Sequence, residues 1–90
     1  VINIKEIRMT PNIEEHDLNV KVRTTQKFIQ NGDKVKVSVR FRGREMGHTE
    51  LGKEVLDHFL ELLGPEAMVE KAPKLEGRNM SMTVIQNNKN

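Results

Sequence analysis

Arg40, Arg42 and Arg44 fall within five residues, in the run Arg-Phe-Arg-Gly-Arg. Each guanidinium is a planar fork of donors that matches the oxygens of a phosphate. Three cations crowded this way repel one another, and an anionic partner removes that cost. Phosphate is the anion whose geometry fits. The alternative is a solvated sheet edge, charged to keep the molecule apart from its neighbours. More bases extend the pattern: Lys21, Arg23 and Lys27 in a helical stretch, and Arg78 in a turn. No catalytic constellation accompanies them. His16, His48 and His58 lack metal-ligand spacing, and the chain has no cysteine for a thiolate or a disulfide. Gly43 to Gly47 lacks the spacing of a phosphate-binding or dinucleotide loop. The carboxylates Glu50, Glu54, Asp57 and Glu61 read as a solvated strip rather than an acid/base pair. The sequence therefore implies no enzyme, no cofactor, no metal and no small-molecule substrate.

The elements that must hold these bases follow from periodicity. Val35, Val37, Val39 and Phe41 alternate with Lys36, Ser38, Arg40 and Arg42, which predicts a half-buried strand over Lys34–Phe41 with a loop at Arg42–Gly47. An earlier strand is predicted over about 2–9, closed by Thr10-Pro11-Asn12. Between them Leu18, Val22, Thr25 and Ile29 make one apolar stripe of a helix over about 17–31, capped by Asp17 and stopped at Asn31-Gly32-Asp33. Arg23, Lys27 and Gln30 fall on its outer side. A second helix is predicted over about 49–63, capped by Thr49 and ended by Gly64-Pro65, with Leu51, Val55, Phe59 and Leu62 as its core stripe and Leu56 and Leu63 widening it. Residues 67–75 read as a strand, and Pro73 puts it at an edge. Glu76-Gly77-Arg78 turns into a last strand over 79–86, with Met80, Met82 and Val84 inward and a frayed polar tail behind it. The order β-α-β-α-β-β predicts an α/β (α+β) two-layer sandwich, with both helices on one face of a four-stranded mixed sheet.

Ninety residues make one domain, 1–90, with room for one modest core. No apolar run is long enough to span a membrane, and no basic-then-apolar leader is present. The chain starts at Val1, directly on a strand-like pattern, and this points to a missing upstream segment. Net charge is only +2 but is segregated. Residues 21–44 hold eight bases against Asp33, a net of +7; residues 45–70 hold seven acids against Lys53, a net of −6. Such a field steers one face toward a polyanion and turns the acidic helix away from it. Three phenylalanines with no tyrosine or tryptophan argue against reading bases by stacking on exposed rings.

The run Arg40–His48, Arg-Phe-Arg-Gly-Arg-Glu-Met-Gly-His, resembles the signature of the C-terminal domain of bacterial translation initiation factor three. Lys5–Arg8, Asp17–Arg23, Gly32–Lys36 and Glu76–Met80 agree with the same family, so the resemblance covers almost the whole chain. It implies a monomeric cytoplasmic domain that binds the 30S ribosomal subunit through 16S ribosomal RNA, with neighbouring ribosomal proteins as further contacts. It implies that the domain helps keep the subunits apart and supports selection of initiator tRNA and start codon. An N-terminal domain and linker would be absent from this chain. Carried over by position, the RNA-contacting residues are Lys21, Arg23, Lys27, Arg40, Arg42, Arg44 and Arg78. Thr10 and His58 stand where some members carry arginine, and both stay outside the site. Lys27 keeps a charge without the arginine fork.

Two other readings compete. A KH-like ribosome assembly factor needs a Gly-x-x-Gly loop, and Gly43 and Gly47 are one residue too far apart. A protein-interaction module would work through the acidic face of the second helix.

Overall fold

Valine at every second position makes one stretch the centre of a sheet. In the computed structural model, which describes residues 3–87, that stretch is β2 (Lys34–Arg40). Val35, Val37 and Val39 are completely buried. β1 (Ile4–Met9) pairs with β2 in parallel, and β4 (Asn79–Gln86) pairs with its other side antiparallel. β3 (Ala67–Glu76) pairs with β4 and closes the order β1-β2-β4-β3. The helices α1 (Glu15–Gln30) and α2 (Glu50–Leu63) pack on the apolar face. This is the expected α+β sandwich, in the expected element order. The expected start of β1 at residue 2 and residues 88–90 of the expected tail lie outside the described residues. Asn87, expected to fray with that tail, is held: its N–H donates to the Glu66 carbonyl at 2.8 Å and its side-chain amide donates to the Pro65 carbonyl at 3.0 Å.

The crossovers give β1 and β2 a parallel pairing as expected. β3 runs in the same direction as β2, but β4 lies between them. Pro73 sits on an edge strand, as a residue without an N–H must. It falls in the second of two register irregularities, between Lys71 and Lys74.

α1 starts two residues before the expected cap. Glu14 occupies the cap position without a side-chain cap bond, and Asp17 lies inside the first turn beside Glu15. Carboxylates there face the positive end of the helix dipole, so Asp17 acts by charge rather than by capping. The buried stripe is the expected one: Leu18, Val22, Thr25 and Ile29. The Thr25 hydroxyl donates to the Lys21 carbonyl at 2.8 Å, which satisfies it inside the core. At the far end Gly32 adopts φ +88, where Cβ-bearing residues are strained, and its N–H donates to the Ile29 carbonyl at 3.0 Å.

α2 corrects the expected stripe. Its buried line is Gly52, Leu56, Phe59 and Leu63, while Leu51 is exposed and Val55 and Leu62 are half-buried. The helix is rotated because Gly52 is an apolar contact that a hydropathy pattern misses. A Cβ on Gly52 would collide with Phe41 Cζ, so the ring takes the place of a side chain. Leu51, Val55 and Leu62 instead share the flank of His58, which meets Glu15 of α1 at 3.3 Å. Thr49 stands at the cap position with helical backbone and no side-chain cap bond, so it does not cap as expected. The expected loop at Arg42–Gly47 is largely a 3₁₀ helix, Gly43–His48.

Gly52→Ala will lower stability by about 1–3 kcal/mol, because the Phe41 ring is fully buried and has nowhere to move. Urea unfolding monitored by circular dichroism measures this. A change under about 0.5 kcal/mol would mean that the ring does not define the helix seat.

Candidate nucleic-acid interface

The site is built at the carboxyl ends of β1, β2 and β3. Phe41 buries its side chain and donates its backbone N–H to the carbonyl of Arg78 at 2.8 Å. Arg40 pairs with Asn79 across the ladder. Arg40 and Arg42, on either side of Phe41, therefore lie beside the hairpin turn that carries Arg78. Gly77 makes that turn with φ +62. Arg40, Arg42, Arg44 and Arg78 are all exposed, with Arg44 on the 3₁₀ helix that follows.

α1 runs back along the sheet from this end and splits the expected helical bases in two. Measured round the helix at about 100° per residue, Lys21 lies about 70° from the centre of the buried stripe, while Arg23 lies about 130° away on the opposite flank and Lys27 points about 170° away. The neighbours fix which flank is which. Phe28, on the Lys21 side, lies under Lys5 of β1, with Nζ 5.8 Å from the ring centroid. Gln26, on the other side, reaches the Leu63 carbonyl of α2 at 3.5 Å. Lys21 thus joins Arg40 and Arg78 round one open depression of about 1160 Å³. Arg23 and Lys27 are exposed on the outer surface of the helix layer, and Lys27 is in the last turn, away from the hairpin.

That depression is not purely basic. Arg8, Lys21, Lys36, Arg40 and Arg78 line it together with Glu6, Glu14, Asp17 and Glu76. Glu6 pairs with Arg8 at 2.5 Å. Both partners of this pair are well exposed, so it adds little to stability. Arg8 and Lys36 are members of this surface that the residue pattern alone did not single out. Lys36 was legible as an outward strand position on the same face as Arg40, but its closeness to Arg8 depends on the pairing of β1 with β2.

The open face of the sheet extends the same surface. Cross-strand partners point to one side of a sheet. The registers give a row Glu6–Lys36–Thr83–Lys71 and, next to it, Arg8–Ser38–Ser81–Lys74. Below them the row Ile4, Ile85, Met68 is apolar, and Lys34 in that row pairs with Glu70 at 3.0 Å. On the opposite side of the molecule Glu50, Glu54, Asp57 and Glu61 are exposed, at positions about 130–170° from the buried stripe of α2. Charge is therefore segregated through the thickness of the sandwich.

Among the described residues no group of three or more His, Asp or Glu side chains could hold a metal ion. No helix among them is long and apolar enough to cross a membrane. His48 meets Glu50 at 3.5 Å and His58 lies near Glu15 and Glu61.

The fold is an α+β sandwich that gathers cations at one end of its sheet, and so presents an electropositive rim there. Residues 2–87 match the family described as Translation initiation factor IF-3, C-terminal domain. The chain is 55% identical over 84 residues to a Translation initiation factor IF-3 of Caldanaerobacter subterraneus subsp. tengcongensis, covering 93% of this chain and 47% of that protein. It is 55% identical over 82 residues to that of Clostridium perfringens, covering 91% of this chain and 46% of that protein. A 51% identity over 84 residues to that of Bartonella henselae covers 93% and 49%. The chain belongs to the translation initiation factor IF-3 C-terminal domain family, a family of factors and not of enzymes. It spans about half the length of the curated relatives it matches.

The split of the helical bases has a measurable consequence. In titrations with a structured RNA, Lys21→Ala and Arg78→Ala will show a coupling of at least about 0.5 kcal/mol in a double-mutant cycle, because they flank one depression. Lys27→Ala will add independently to Arg78→Ala within about 0.3–0.5 kcal/mol. Equal coupling for both pairs would contradict this geometry.

Proposed function

We propose that this chain is the ribosome-binding domain of a longer translation initiation factor, acting as a monomer in the cytoplasm. It binds the 30S subunit through 16S ribosomal RNA, with neighbouring ribosomal proteins at the margins. Occupying the subunit, it shifts the equilibrium toward free subunits and supports selection of initiator tRNA and start codon. The observation that carries this reading is the tie between Phe41 and Arg78. It brings the end of the arginine run to the hairpin turn, within a chain of the initiation factor family.

Lys21, Arg40 and Arg78 grip phosphates round the depression, and Arg42 and Arg44 extend the grip along the 3₁₀ helix. Arg23 and Lys27 form a second line of contact on the outer side of α1. Contacts of this kind fix the register of the protein on a folded RNA without reading its bases. Only three phenylalanines are present, and Phe41 and Phe59 are in the core, which favours phosphate contacts over stacking. The acidic face of α2 keeps the opposite side off the RNA by like-charge repulsion.

Binding to purified 30S subunits will fall steeply with salt. In Arg42→Ala/Arg44→Ala the log–log slope will flatten by roughly 1.4, at about 0.7 for each phosphate that is no longer neutralised. Tight binding with an unchanged slope would remove these two arginines from the interface. Absence of binding by the unaltered chain would shift the working surface to the acidic helix and a protein partner.

A further inference from the structure

Resting on the RNA-binding reading, we infer that the open face of the sheet, continuous with the depression through Lys36, Ser38 and Ser81, is a second phosphate-contacting surface, which receives a stretch of ribosomal RNA backbone beyond the one held by Arg42 and Arg44. Lys36 on β2 and Lys71 and Lys74 on β3 stand on this face, brought together by β4 between them. Adjacent strands lie about 4.8 Å apart, so Lys36 and Lys71 are separated by about 10 Å across Thr83. Lysine stems can close that gap around a single chain of phosphates.

Three features select a polyphosphate backbone as the occupant. None of Lys36, Lys71 and Lys74 is held in an ion pair with another described residue, whereas Glu6 and Glu70 on the same face are each engaged by a cation. Between the lysines run the hydroxyls of Ser38, Ser81 and Thr83, which can donate to phosphate oxygens. No aromatic side chain lies on this face, so it carries no base-stacking platform of the kind used by single-strand-binding sheets. The acidic strip of α2 lies on the far side of the sandwich. A polyanion laid on the sheet is thus attracted by the near face and separated from the repulsive one by the whole core.

The test uses the chain itself and purified 30S subunits. Lys36→Ala/Lys71→Ala/Lys74→Ala will flatten the salt slope by roughly 2 and weaken binding at least about tenfold at moderate salt. Its melting curve will match that of the unaltered chain, since the replaced side chains are exposed. The chain has no cysteine, so Ser81→Cys and Gly43→Cys can each carry a single iron chelate that cleaves nearby RNA. The expected result is cleavage of 16S ribosomal RNA from both positions, at different nucleotides. A triple variant that keeps the slope, beside an Arg42→Ala/Arg44→Ala variant that loses it, would overturn the second surface and leave the proposed function standing. Loss of binding by the unaltered chain would overturn both. Cross-linking of the Ser81 position to a ribosomal protein, with no RNA cut, would overturn the phosphate assignment.

Discussion

The seat of Phe41 is the constraint on which the rest depends. Its ring is buried at the end of β2 and lies where Gly52 of α2 has no side chain. Its backbone N–H holds the hairpin turn through the Arg78 carbonyl. One residue thus fixes the rotation of α2, the closure of the β3-β4 hairpin against β2, and the outward aim of the arginines on either side. Burying a phenylalanine contributes about 1.5–3 kcal/mol, so the anchor can hold cations together against their mutual repulsion. A run of arginines on a loose loop would spread apart. Here the apolar residue between Arg40 and Arg42 prevents that.

The second organising fact is the direction of the charge. The sequence is basic and then acidic, but a sequence does not say which faces those segments occupy. The fold turns the basic segment into the open sheet face and its rim, and the acidic segment into the outer surface of α2. The basic helical residues depart from this division, and so does Glu70 of the acidic segment, which stands on the open face paired with Lys34. Arg23 and Lys27 share the helix layer with the acidic strip, which makes them the weakest members of the expected set on electrostatic grounds. Their value to binding depends on a partner that wraps from the rim over α1.

Strands and their inward faces were legible because alternation leaves few choices. The valines of β2 and the Met82–Val84 pair of β4 are buried as their spacing requires. Helix phases were less legible. Leu51 looks like a core residue and is exposed, while Gly52 carries no hydropathy signal and is buried, because its partner is a ring from a distant strand. The helix caps failed for a similar reason: Asp17 and Thr49 are good caps by type, yet tertiary packing placed Asp17 inside the first turn and gave Thr49 helical backbone without a cap bond. The arginine rim was legible as a motif. The lysines of β3 were not, since two register irregularities determine which of them join the open face.

Those irregularities bear on how the surface can work. A regular edge strand with unpaired N–H and C=O groups invites another strand to pair with it. β3 carries Pro73, two breaks in register and exposed lysines on its edge. Each feature opposes strand addition, and together they leave side-chain contact as the way a partner can use this part of the sheet. The same lysines that discourage a second β-strand are the ones proposed to contact phosphate. A substitution there that removes charge therefore lowers both the barrier to edge pairing and the electrostatic attraction for a polyanion.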